Sequence, residues 1–124
     1  MDNINELTFK ILSCAYKVHS KLGPGLLEST YEHCLAQELF LNGCKFDRQQ
    51  ALPVIYGNTK LDAGYRIDLL VEDRVIIELK SVEQIIPIHK AQLLTYMKLS
   101  GKHLGLLINF NVVSLKDGIT RLIL

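Results

Sequence analysis

No apolar run in these 124 residues approaches the about 20 needed to cross a bilayer, so a membrane-spanning helix is not expected. Cysteine is scarce: Cys14, Cys34 and Cys44 form no C-x-x-C pair and, being three, cannot all pair internally. With four scattered histidines they also show no zinc-ligand spacing. Reduced, mostly buried thiols in a reducing compartment are the expectation. Charge of one sign is missing too. Fourteen Lys and Arg balance thirteen Asp and Glu, and the net charge of +1 excludes a strongly basic surface in bulk while leaving room for a local basic patch. The opening stretch "MDNINELTFK" is acidic and has no apolar h-region, so a signal peptide is not expected and a cytoplasmic location is. Internal repeats, low-complexity tracts and linkers are absent. What is present, 48% hydrophobic and 22% charged residues, suits one ordinary globular domain over 1–124.

Asn3 with Glu6 three residues on forms a capping-box signal, and Leu7, Ile11, Cys14, Ala15, Val18 and Leu22 then recur at helical spacing. "GPG" at 23–25 ends that helix, and a second is predicted from Leu26 to Asn42, stopped by Gly43. The period then changes. Strands are predicted at 52–56, 61–71 and 74–80, with turns at Gly57-Asn58 and Glu72-Asp73. A helix from Pro87 to Ser100 follows, stopped by Gly101, and "HLGLLINF" reads as an interior strand. The intervening helix predicts a βαβ crossover and parallel pairing. "VVSLKDGITRLIL" reads as a hairpin around Asp117-Gly118. The predicted order is α-α-β-β-β-α-β plus a C-terminal hairpin, in an α/β fold with one mixed β-sheet flanked by helices.

The stretch "RVIIELKS" raises the functional question. Glu78 and Lys80 are two apart on a predicted strand, so they share a face, while Ile77 and Leu79 take the other. Charged groups at the edge of an apolar run cost desolvation energy unless they are paired or hold a metal. The pair is therefore an ion-paired strand end or the floor of an active site. With a turn near Glu72-Asp73, Asp68 falls opposite the Glu78 end of its neighbour, within reach of one divalent ion. Magnesium takes oxygen ligands and keeps several waters, so Asp68, Glu78 and a main-chain carbonyl suffice as the protein's share. Lys80 could then orient or deprotonate an attacking water.

The pattern D68-x9-E78-L79-K80, between helices, resembles the PD-(D/E)XK nuclease superfamily, although Ile67 stands where proline often precedes the Asp. "GLLESTY" at 25–31 resembles the short GxxExxY proteins assigned to that superfamily, and the similarity runs from the first helix through "INF". The resemblance implies a restriction-endonuclease-like core. It also implies Asp68, Glu78 and the Leu79 carbonyl as ligands of Mg2+ or Mn2+, and Lys80 as the residue that assists the hydrolytic water.

Other candidates flank that motif. Glu28 is either an N3 cap, if Gly25 is the N-cap, or a site residue, since Glu28, Tyr31, Leu35 and Leu39 form a stripe facing the sheet. Nuclease relatives carry such a helical glutamate beside the metal. Tyr31 reads as core packing with its hydroxyl near the cleft. Gln92 and Tyr96 lie on one helical face and resemble the Q-x-x-x-Y motif of RecB-like nucleases, where it lines the site and contacts DNA. His89, a turn earlier, is a secondary candidate for reaching phosphate. Lys90, Lys98 and Lys102 offer backbone contacts or a solvated face. Arg66 pairs with Asp68 or approaches a phosphate; both stay open. The expected function is metal-dependent phosphodiester hydrolysis, in DNA by family resemblance. A catalytically silent binding or regulatory module of the same fold is the alternative, and hydrolysis of a smaller phosphodiester is a third. The apolar ending "RLIL" completes a sheet or supplies a homodimer edge.

Overall fold

In the computed structural model, which describes residues 3–124, the Asn3 side chain accepts a hydrogen bond from the Glu6 N–H at 2.8 Å and opens helix α1 (Ile4–Leu22). Its predicted stripe is buried from Leu7 to Val18, while Leu22 is exposed at the helix end. Helix α2 (Glu28–Leu41) starts later than the sequence suggests, with Leu27 rather than Gly25 as N-cap. The Tyr31 hydroxyl is the cause: it donates to the Gly23 carbonyl at 2.6 Å and accepts from the Leu26 N–H at 3.1 Å. Those bonds hold the connecting loop outside the helix.

Strands β1 (Phe46–Ala51), β4 (Arg66–Val71), β5 (Val75–Lys80), β6 (Leu104–Asn109) and β7 (Ile119–Ile123) form one sheet in the order β1-β4-β5-β6-β7. β2 (Val54–Tyr56) and β3 (Thr59–Leu61) form a separate antiparallel hairpin around Gly57-Asn58. β5 and β6 pair in parallel across helix α3 (Pro87–Ser100), as the crossover predicts, and every other pairing in the sheet is antiparallel. Among the described residues the fold is therefore a mixed α/β sheet flanked by three helices, of restriction-endonuclease-like architecture.

Three expectations are corrected. β1 was not expected at all: "FDRQQA" has no apolar alternation, and it is a strand because its backbone pairs with β4, not because it buries a face. The predicted strand 61–71 is two strands on different partners, broken between Leu61 and Arg66, where Gly64 takes φ 82°. The C-terminal hairpin is instead a 3-10 turn (Leu115–Gly118) followed by β7 on the edge of β6. Gly118 serves close approach, since a Cβ there would collide with the Asn109 carbonyl.

α1 and α2 cover one face of the sheet, over Leu69, Val71, Val75, Ile77 and Leu79. α3 covers the other, over Ile76 and Leu107. Gly105 lets α3 settle there: a Cβ at that position would meet Met97 Sδ at 2.8 Å and Leu93 Cδ1 at 3.0 Å. All three cysteines are free, with Cys14 and Cys44 buried and Cys34 half-buried. Among the described residues no helix is long and apolar enough to cross a membrane.

Candidate active site

β4 and β5 are joined through Glu72, Asp73 and Arg74, the first two left-handed at φ 53° and 56°, and the turn is closed by Arg74 N–H on the Val71 carbonyl at 3.0 Å. From there the strands run in register, Val71 opposite Val75, Leu70 opposite Ile76 and Leu69 opposite Ile77. The next opposed residues are Asp68 and Glu78, and here the pattern changes. The Asp68 N–H donates to Glu78 Oε2 at 2.9 Å, and the Leu79 N–H donates to Asp68 Oδ2 at 2.9 Å. Each carboxylate takes a backbone donor that a regular ladder would give to a carbonyl, so the strands splay with two acidic side chains between them.

Alternation places Glu78 and Lys80 on the α3 face with Ile76. Leu79 N–H faces the gap toward β4, and the carbonyl of a strand residue lies on the same edge as its N–H. The Leu79 carbonyl thus faces the gap, whereas the Lys80 carbonyl faces β6 and accepts from Phe110 N–H at 3.0 Å.

The electrostatics follow from burial. Glu78 is 7% exposed, and loss of hydration, with the neighbouring Asp68 charge second, pushes its carboxyl up to about 8. Burial raises Asp68 as well, against the Leu79 and Gln49 hydrogen bonds that favour its charged form. Lys80 partly offsets the rise at Glu78 and forms no ion pair of its own among the described residues. The buried Glu78 and half-buried Asp68 carboxyls share one ammonium and are short of positive charge, and that deficit fits a divalent cation. The described residues contain no group of three or more His, Cys, Asp or Glu side chains arranged to hold a metal. The donor set is two carboxylates and a carbonyl, which suits an ion that retains most of its waters.

Glu28 is the first residue of α2 and is exposed, while Tyr31, Leu35 and Leu39 below it are wholly buried. The stripe runs off the sheet at its first turn, so Glu28 is neither an N3 cap nor a buried residue. Its charge still reaches the gap, raising both Asp68 and Glu78. Gln92 donates to the Tyr96 hydroxyl at 3.3 Å on α3. Burial raises the Tyr96 hydroxyl, and the Glu78 charge raises it further, so this residue feels the carboxyl pair. Tyr65 meets the Tyr96 ring edge-on at 6.4 Å.

Other candidates are engaged elsewhere. Tyr31 stacks on Phe110 at 4.5 Å and pins the 23–26 loop. His89 Nδ1 accepts from Ile86 N–H at 3.2 Å and caps α3. Arg66 donates to the Tyr65 carbonyl at 2.9 Å and lies 3.9 Å from Asp62, not on Asp68. Lys102 pairs with Asp73 at 3.0 Å, while Lys90 and Lys98 are exposed.

Two residues beside the gap escape a reading of the sequence. Gln49 Nε2 donates to Asp68 Oδ1 at 3.2 Å and to Glu32 Oε1 at 2.6 Å. Glu32, 8% exposed, also takes Arg48 on its other oxygen at 3.1 Å. Glu32 lies one turn beyond Glu28, the one available signal; Gln49 lies in the unrecognised β1.

A mixed sheet flanked by helices, with Asp and Glu opposed at a strand divergence and Lys two residues on, defines the class of restriction-endonuclease-like folds. A family profile described as PD-(D/E)XK nuclease superfamily matches residues 5–122, and the chain belongs to that superfamily. No curated protein and no solved structure matches it.

Proposed function

We propose that this protein is a metal-dependent nuclease that hydrolyses phosphodiester bonds in DNA, of the GxxExxY type within its superfamily, working in the cytoplasm. The observation that carries the proposal is the opposition of Asp68 and Glu78 across the opened end of β4 and β5, with Lys80 on the Glu78 face. Asp68, Glu78 and the Leu79 carbonyl would hold Mg2+ or Mn2+. When bound, such an ion supplies positive charge for the phosphate and lowers the pKa of a coordinated water. Lys80 orients the attacking water and balances the negative charge of the pair. Glu28, exposed at the helix start, would hold a further water or a second metal ion. Gln92 and Tyr96 line the α3 side of the cleft, where an amide and a hydroxyl donate to phosphate oxygens.

The test is cleavage of supercoiled plasmid and of DNA and RNA oligonucleotides with Mg2+ or Mn2+, using wild type and Lys80→Ala. Metal-dependent cleavage of DNA by the wild type, lost in the variant, supports the proposal. A second reading is a binding module that keeps the fold without turnover, favoured by the net charge of +1. Retained oligonucleotide binding with no cleavage under any divalent metal would select it.

A further inference from the structure

Arg48 and Gln49 are neighbours in β1, yet both bind Glu32: Arg48 Nη2 at 3.1 Å and Gln49 Nε2 at 2.6 Å. Adjacent residues of a regular strand point to opposite faces, so they cannot share one carboxylate. They share it here because Gln49 is left-handed, at φ 51°, in the middle of the strand. It interrupts β1 between Arg48, opposite Leu69, and Gln50, opposite Ile67, directly across from Asp68. A non-glycine residue in that conformation is strained, because its Cβ crowds the following carbonyl oxygen. Nothing in a strand-to-strand pairing requires it. Its product is the placement of one amide nitrogen between two carboxylates. Both neighbours are acceptors, which fixes the –NH2 rather than the carbonyl toward them, and its two hydrogens serve Glu32 and Asp68 separately. Glu32 is itself anchored by Arg48, so the chain Arg48–Glu32–Gln49–Asp68 ties β1 to α2 and reaches β4 at the gap.

We infer that Gln49 is a positioning residue of this site: a strained strand residue whose amide fixes the orientation of Asp68 for a divalent cation. The inference rests on the proposed role of Asp68 as a metal ligand. With Oδ2 held by Leu79 N–H and Oδ1 by Gln49, both carboxylate oxygens are tied, and each keeps acceptor capacity for a cation. Outer hydrogen-bond partners of metal ligands typically change affinity on the order of 10-fold or more when removed.

Two substitutions separate the amide from the strain. Gln49→Gly removes the amide and accepts the left-handed conformation; Gln49→Met removes the amide and keeps the strain. The measurement is Mn2+ affinity by electron paramagnetic resonance on each folded protein, with its melting temperature recorded alongside. We expect Mn2+ binding to weaken on the order of 10-fold in both variants. The melting temperature should stay near wild type in Gln49→Gly and fall in Gln49→Met. Wild-type affinity in Gln49→Gly overturns the inference, because the amide would then be dispensable. If Gln49→Met does not fold, Gln49→Gly alone decides. Absence of Mn2+ binding by wild type overturns the metal site itself, and this inference with it.

Discussion

The two ends of the β4–β5 pair are built from the same strands and do opposite things. At the turn end, Leu69, Val71, Val75 and Ile77 are wholly buried, and backbone pairs with backbone. At the next position, Asp68 and Glu78 take the backbone donors, the strands part, and burial holds both carboxyls above their usual range. The closed end stabilises the fold by apolar burial, and the open end gives up ladder bonds and hydration to hold two carboxyl groups in a fixed place. Rigidity at one end makes the separation at the other reproducible.

The contrast can be broken from either side. Ile77→Ala empties a fully buried position at the closed end and should cost about 2–5 kcal/mol of unfolding free energy, read by chemical denaturation, with Mn2+ binding kept by the folded fraction. Lys80→Ala at the open end should do the reverse: cleavage falls on the order of 100-fold or more, while the melting temperature holds and metal affinity is kept or raised.

A smaller effect is expected from pH. Burial lifts Glu78 from 4.5 to about 8, so between those values the folded protein holds a proton that the unfolded chain releases. The contribution of this group to stability is therefore greatest below the unfolded value and is lost as pH rises toward 8. The metal-free melting temperature should fall by several degrees from pH 5 to 8, and Glu78→Gln should flatten that slope. Mg2+ at pH 8 should raise the wild-type melting temperature and leave the variant's unchanged. The smallest effect belongs to His89→Ala, which removes the α3 cap and should cost about 0.5–1 kcal/mol without altering metal affinity.

How much of this was legible in the sequence depended on which force made each element. Helix α3 is bounded where Pro87 and Gly101 predict, and the Asn3 cap and the parallel β5–β6 pairing are present, because local chemistry or chain connectivity dictates them. The approach of Asp68 to the Glu78 end was also legible from a turn near Glu72-Asp73, but the one-to-one register was not, because Arg74 joins the connection and shifts the count by one residue. β1 was not: a polar strand held by pairing alone carries no periodic signal, and with it Gln49 and its bond to Asp68 stayed hidden. Glu28 was placed on the right helix face but buried too deeply, because the Tyr31 staple that sets the helix start is a tertiary contact. His89 and Arg66 carried the right chemistry, but nearer partners, the Ile86 N–H and the Tyr65 carbonyl, hold them.

Calorimetric titration of Mg2+ and Mn2+ into wild type and an Asp68→Ala/Glu78→Ala double variant reads out whether the open end of β4 and β5 is a divalent-cation site. Saturable binding by the wild type that is abolished in a folded double variant is the predicted result. No binding by the wild type, or equal binding by both proteins, would contradict it.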